Sequence, residues 1–352
     1  MSRGLDEGLI STTVAQNSFI NEFGLQAKSL DASQQANRLS NITSMVHIGS
    51  IPGALIAFLL CERVGMLWSM RQLCTLWMAG VIVVITASGK LGQIYAGRFI
   101  MGLGIGQAGV VAPTYLAEIA PQSARGMLVS VFGMSEYIGI MIGVSILRPA
   151  DTRKDANNVE AYAPELFALF GINGQSEKLF TTAIFGAVKF VASLLCAILL
   201  IDHIGRKRSL ISGIAVQQVA MLYIAMYLTI NASLAGDESP SSKRAALGAI
   251  VFIYFVGIGW AMGWNSIQYL LNAEIFPLRV RATGSSLLMC FHYVNRYGLS
   301  KAVPSMLLQS SLQPEGTFWF FSIMTFFGLL WAWILLPETA GQTLEDTNGL
   351  FG

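Results

Sequence analysis

Residues 91–114 read LGQIYAGRFIMGLGIGQAGVVAPT and hold a single charged side chain, Arg98. A helix of about 20 mostly apolar residues is what one crossing of a bilayer's hydrocarbon requires. This run meets that length. The same ruler laid along the chain finds about nine such runs, at approximately 44–61, 69–88, 91–114, 126–147, 180–201, 209–230, 245–271, 284–308 and 318–336. Internal Pro52, Gly53, Gly102, Gly104 and Pro304 would break helices in water. Membrane helices tolerate them where neighbours satisfy the freed backbone groups.

Composition agrees. Of 352 residues 54% are hydrophobic and 12% charged, against roughly 25% charged in a typical soluble domain. So few charges cannot cover a water-facing surface, and the lipid bilayer is the expected solvent. The net charge of +2 is small and its cations are scattered, so no nucleic-acid partner is expected. Cys61, Cys74, Cys196 and Cys290 are widely spaced, without a CxxC or Cys/His grouping, and read as small apolar side chains rather than metal ligands. Residues 1–30 lack an apolar core behind a basic start, so no cleavable signal peptide is expected.

Lys and Arg in short loops mark the cytoplasmic side. Arg63 and Arg71, Arg125, the run Arg206, Lys207 and Arg208, and the pair Arg279 and Arg281 are separated by even numbers of candidate spans. All of them can therefore lie on one face, with the carboxyl terminus. An odd number of spans then leaves residues 1–43 outside, and a further inner stretch is expected upstream. Residues 148–178 mix charges with a fragment too short to span and read as a connecting segment between 1–147 and 179–352.

Two loop patterns recur. Glu62-Arg63-Val64-Gly65 is echoed by Asp202-His203-Ile204-Gly205-Arg206-Lys207, and Ala117-Glu118-Ile119-Ala120-Pro121 with Arg125 by Ala273-Glu274-Ile275-Phe276-Pro277 with Arg281. Parallel repeats of this kind build one class of secondary transporters. Together with Gly97-Arg98-Phe99-Ile100-Met101-Gly102-Leu103-Gly104-Ile105-Gly106, Pro113-Thr114-Tyr115-Leu116-Ala117-Glu118, Leu278-Arg279-Val280-Arg281 and Pro337-Glu338-Thr339, they make the chain resemble the sugar transporter family of the major facilitator superfamily. The likeness is greatest to its fungal quinate and sugar permeases.

The resemblance implies an all-α, polytopic membrane helix bundle of major facilitator type with two pseudo-repeated halves. About nine spans stand here instead of twelve. Gly4-Leu5-Asp6-Glu7-Gly8 is similar to the family's Gly-Tyr-Asp-x-Gly in the first helix, whose inner half is absent. Past Ile142-Gly143 the chain resumes at Tyr162-Ala163-Pro164-Glu165-Leu166-Phe167, similar to the outer end of the seventh helix. The sixth helix, the central linker and most of the seventh, with the Gln-Gln and Asn groups that bond sugar in the family, have no counterpart.

Charges inside a membrane are costly, so each must pair, reach water or act. Arg98, Glu136 and Lys189 are the three in apolar runs. By resemblance Arg98 faces Asp6, and such a pair can couple proton movement to helix rearrangement; the alternative is a purely structural tie. Resemblance also implies a cytoplasmic set of gating ion pairs, Glu118 with Arg125, Glu274 with Arg281, Asp202 with Arg206, and Glu338. Amide and aromatic groups suit a small polar solute, the first bonding hydroxyls and the second packing on C–H surface. The candidates are Trp260, Trp264, Asn265 and Gln268 in one span, and Asn295 and Tyr297 in the next. Ser266 and His292 accompany them, Gln107 and Gln217 are weaker candidates, and Arg296 is a counter-ion for an anionic solute such as quinate.

No Ser/His/Asp or metal grouping can be assembled from His47, His203 and His292, and the Gly102–Gly106 run lies inside an apolar helix without a nucleotide-binding context. The chain is expected to be no enzyme and to need no cofactor. Three readings stay open: a plasma-membrane permease for a sugar, polyol or quinate-like solute, proton-coupled through Asp6 and Arg98; an exporter of a secondary metabolite; and a shortened chain that transports nothing. The topology common to all three is testable. In cysteine-free protein, Arg63→Cys and Arg208→Cys should both be labelled by an impermeant maleimide only when the cytoplasmic face is accessible; labelling from opposite faces would overturn the sidedness.

Overall fold

Wherever the sequence offers a long apolar run, the chain is helical. The computed structural model describes residues 2–13, 19, 22–24, 32–121, 124–147, 175–201, 203–233, 240–276, 280–307, 312–336 and 338. A short helix, α1 (Ser2–Thr13), comes first. After it come α2 (Ala32–Val64), α3 (Met66–Ile85), α4 (Leu91–Ile119) and α5 (Arg125–Leu147). In the second half α6 (Gln175–Leu195) continues as a π-helical turn, Cys196–Leu200, and is followed by α7 (Arg206–Ser233). Helix α8 runs as Pro240–Trp260, a π-helical turn Ala261–Asn265, and Ser266–Glu274. The last two are α9 (Arg281–Met306) and α10 (Gln313–Leu335). No strand occurs among the described residues. Most of the connecting segment 148–178, and Asp202 and Arg279, lie outside them.

Helices α2 to α10 stand where the nine spans are expected. Seven stretches are long and apolar enough to cross a membrane: Asn37–Val64, Met66–Ile85, Leu91–Ile119, Arg125–Gly143, Arg206–Ile230, Ala245–Glu274 and Gln313–Leu335. Of the other two, α6 contributes the shorter apolar stretch Ile184–Leu200. Helix α9 carries His292, Asn295, Arg296 and Lys301, a polar load that suits an internal helix better than a lipid-facing one. The outward surface is greasy, with Ile85, Phe291 and Ile334 at 76%, 65% and 68% exposure. Large side chains so exposed fit a hydrocarbon solvent.

Packing places the polar groups. Helix α2 lies against α4 on one side and α9 on the other, α1 runs along α5, and α7 packs on α8 and α10. The first and second halves of the chain meet where α9 lies on α2 and where α6 lies on α5. Helix α1 can approach α5 closely because glycine meets backbone there. A β-carbon at Gly8 would come within 2.6 Å of the Ile140 carbonyl oxygen, and one at Gly4 would strike the backbone of Glu136.

Replacing Gly8 with valine should therefore push α1 from α5. Over-packing of this kind costs about 1–3 kcal/mol, read as a lower thermal unfolding midpoint in detergent. Gly298→Ala is the control: nothing lies within 4 Å of a β-carbon at Gly298, so its midpoint should hold or rise.

Candidate functional site: a charge cluster between the halves

Helix α1 carries Arg3, Asp6 and Glu7 within about one turn, so all three project over neighbouring parts of its surface. Asp6 meets Arg98 of α4: Nη1 donates to Oδ1 at 3.0 Å and Nη2 to Oδ2 at 3.4 Å. Both side chains are buried, at 5% and 3% exposure. Parallel hydrogen bonds of a guanidinium to both carboxylate oxygens form the strongest ordinary ion-pair geometry.

Arg3 makes a second junction. Its Nε lies 3.3 Å from Oε1 of Glu136 on α5 and 3.4 Å from Oε1 of Glu7. Its Nη1 donates to the hydroxyl of Tyr269 on α8, whose ring stands edge-on to Phe132 at 4.9 Å. Glu7 in turn accepts a 3.0 Å bond from Nη2 of Arg296 on α9. Through Arg3 and Glu7, then, α1 is tied to helices of both halves. Tyr293 of α9 adds a crossing of its own, donating to the carbonyl of Ile105 on α4 at 3.2 Å.

Beside this cluster Arg3, Ile105, Ala108, Gly109, Phe132, Glu136 and Tyr293 line a cavity of about 20 Å³. That volume suits a water molecule, far short of a sugar ring. Solute binding at this place requires the helices to part.

The sequence-derived solute set is only partly gathered here. Asn265 is buried and its Nδ2 donates to the Gly133 carbonyl of α5 at 3.3 Å, across the two halves. Trp264 instead lies against α10, where a β-carbon at Gly328 would be 3.5 Å from the indole. Trp260, Gln268 and Tyr297 are half-buried and Asn295 is exposed. Lys189 sits over the Phe185 ring at 4.2 Å.

At the helix ends that carry the basic loops, two of the described pairs join other partners than the resemblance implies. Arg281 reaches Glu118 of the other half at 4.0 Å, not Glu274, and Glu274 pairs with Arg206 at 3.3 Å. Helix ends decide this: Arg206 opens α7, which packs on α8 where Glu274 closes it. Glu338 accepts the backbone N–H groups of Arg206 and Lys207 at 2.8 and 3.1 Å, using the free donors of a helix N-terminus. Arg125 is buried, without a described bond to Glu118. Asp202 lies outside the described residues. At the opposite end, Lys301 of α9 bonds Asn41 of α2 and reaches Ser40 Oγ at 3.4 Å.

Sequence reasoning missed Arg3 and Tyr293, and placed Tyr269 only within the candidate solute segment 259–269. One signal was present, since Arg3 and Glu7 stand four residues apart on either side of Asp6. Among the described residues no group of three or more His, Cys, Asp or Glu side chains is placed to hold a metal.

Comparison with known proteins follows the same lines. The model of the family "Sugar (and other) transporter" matches residues 1–158 and 155–351. A probable quinate permease of Aspergillus fumigatus is 23% identical over 463 aligned positions, covering 99% of this chain and 84% of that protein. The quinate permease of Emericella nidulans is 23% identical, with 99% and 85% covered. Each alignment is longer than the 352-residue chain, so both relatives carry internal segments that this chain lacks. Among solved structures, the proton:xylose symporter XylE bound to 6-bromo-6-deoxy-D-glucose matches with a TM-score of 0.84 at 19% identity, covering 100% of this chain and 96% of that one. The inward-open conformation of the xylose transporter XylE from E. coli matches with a TM-score of 0.71 at 20% identity, covering 99% and 96%. Fold and family agree: the chain has the fold of the XylE structures and belongs to the sugar (and other) transporter family.

Proposed function

We propose that this protein is a multi-pass secondary transporter of the plasma membrane that moves a sugar, polyol or quinate-like solute by alternating access and couples it to protons. Residues 1–147 and 179–352 act as its two moving halves. The observation that carries the reading is the buried pair of Asp6 and Arg98. Arg98 keeps its charge at any physiological pH, whereas a carboxyl group can take up a proton. Protonating Asp6 leaves a guanidinium in a low-dielectric site with its counter-charge gone, which costs several kcal/mol unless helices move. A proton thereby becomes a lever on α1 and α4.

The ends of the bundle support alternation. Arg281 with Glu118 ties the halves inside, and Lys301 with Ser40 and Asn41 ties them outside. The cavity described between them is water-sized, and each tie holds its end of the two halves together until it releases. The xylose and quinate carriers among the relatives make a hydroxylated ring the first solute class to test.

In liposomes, wild-type protein should accumulate labelled quinate, or a neutral sugar, when the proton gradient points inward. Asp6→Asn should still exchange solute down its gradient but lose accumulation. Accumulation by that variant at the wild-type level would refute coupling through Asp6, and no uptake of any polyol, sugar or cyclic acid by wild type would refute transport. The two cytoplasmic pairs should differ. Glu118 is 38% exposed and lies 4.0 Å from Arg281, but that guanidinium is 2% exposed, so Glu118→Gln should cost about 1–3 kcal/mol, less than loss of the closer pair buried on both sides. Glu274→Gln takes the carboxylate from a guanidinium that is 5% exposed and should cost about 3–5 kcal/mol of stability, measured by thermal unfolding in detergent.

A further inference from the structure

We propose that Arg296 is the anion subsite of the solute pathway and that Glu7 is its resident occupant, a carboxylate that a carboxylate-bearing polyol displaces on binding. The proposal rests on the transporter reading above and narrows its solute to a hydroxylated monocarboxylate.

Three observations carry it. First, the pair is accessible: the side chains of Glu7 and Arg296 are each 29% exposed, against 5% and 3% for Asp6 and Arg98. Of the pairs that α1's carboxylates make with guanidinium groups on other helices, Asp6 with Arg98 is sealed and Glu7 with Arg296 is open to exchange. Second, Glu7 fills the site incompletely. A single oxygen, Oε1, serves Nη2 of Arg296 at 3.0 Å and Nε of Arg3 at 3.4 Å. A guanidinium presents a fork that matches both oxygens of one carboxylate. A free carboxylate can take that two-bond geometry on Arg296, where Glu7 offers a shared oxygen. Third, Glu7 has somewhere to go. Displaced from Arg296, it keeps Arg3 on its own helix, which Glu136 and Tyr269 hold in place.

The exchange has a mechanical effect. Glu7 belongs to α1 in the first half and Arg296 to α9 in the second, so an incoming carboxylate replaces a bond between the halves by a bond to solute. A ligand shifts a two-state equilibrium only by its differential affinity for the states. A carboxylate that removes an interhelical tie favours the parted state, whereas a neutral polyol of the same shape leaves the tie intact.

The test measures binding apart from transport. Thermal stabilisation of the purified protein in detergent is titrated with quinate and with its methyl ester, which differ in charge at one group. Wild type should bind quinate more tightly than the ester. Glu7→Gln should tighten quinate roughly tenfold, the worth of one charge-assisted hydrogen bond, and leave the ester unchanged; misfolding cannot produce that gain. Arg296→Gln should abolish the preference for quinate while retaining ester binding. The proposal is overturned if Glu7→Gln leaves quinate unchanged or weakens both ligands alike, if Arg296→Gln keeps the preference, or if wild type binds neither ligand. The expected pattern in a protein that moves nothing across liposomes would refute the transporter reading and leave the subsite standing. Transport of a neutral sugar with no preference for the acid would do the reverse.

Discussion

Burying a guanidinium among apolar helices costs several kcal/mol unless a carboxylate meets it, and Arg98 is met by Asp6. Much of the architecture follows from that constraint. Asp6 sits on α1, which its neighbours hold along α5. Glycines at its contact with α5 allow backbone to touch backbone. The same closeness brings Glu136 to Arg3, and the second half then closes over α1 with Tyr269 and Arg296. Each charge on the turn has a partner on another helix.

The two ends of the bundle are built unequally. At one end, Glu274, Arg206 and Glu338 form a compact arrangement within the second half, and the halves meet through the long contact of Arg281 with Glu118. At the other, α9 and α2 are joined through one lysine and two short polar side chains. Long or water-accessible contacts of this kind are worth less each than close buried pairs. That suits parts that must separate and rejoin, whereas the buried pairs keep each half intact while they do.

Hydropathy located the helices, because a run of about 20 apolar residues has few other uses. The pairing of Asp6 with Arg98 was legible only through resemblance, since 92 residues separate the two. Arg3 stayed hidden for a related reason: its tyrosine partner is 266 residues away, and a lone arginine near a helix start says nothing about which helices will surround it. The described pairs, Arg206 with Glu274 and Arg281 with Glu118, run between loop motifs, whereas each motif contains both an acid and a base and so invites local pairing. A tryptophan in a membrane helix does not reveal its partner, because a large ring can face another helix as well as a solute, as Trp264 faces α10.

The π-helical turn in α8, Ala261–Asn265, acts as a phase shifter. Such a turn holds one residue more than an α-helix would, and each α-helical residue advances the chain by about 100°. Everything after it, Tyr269 and Glu274 included, is thus rotated by that step relative to the helix that precedes it. If this turn relaxed to regular α-helix, Tyr269 would swing away from Arg3 and Glu274 away from Arg206 together, linking the middle of the membrane to its inner edge through one local rewinding.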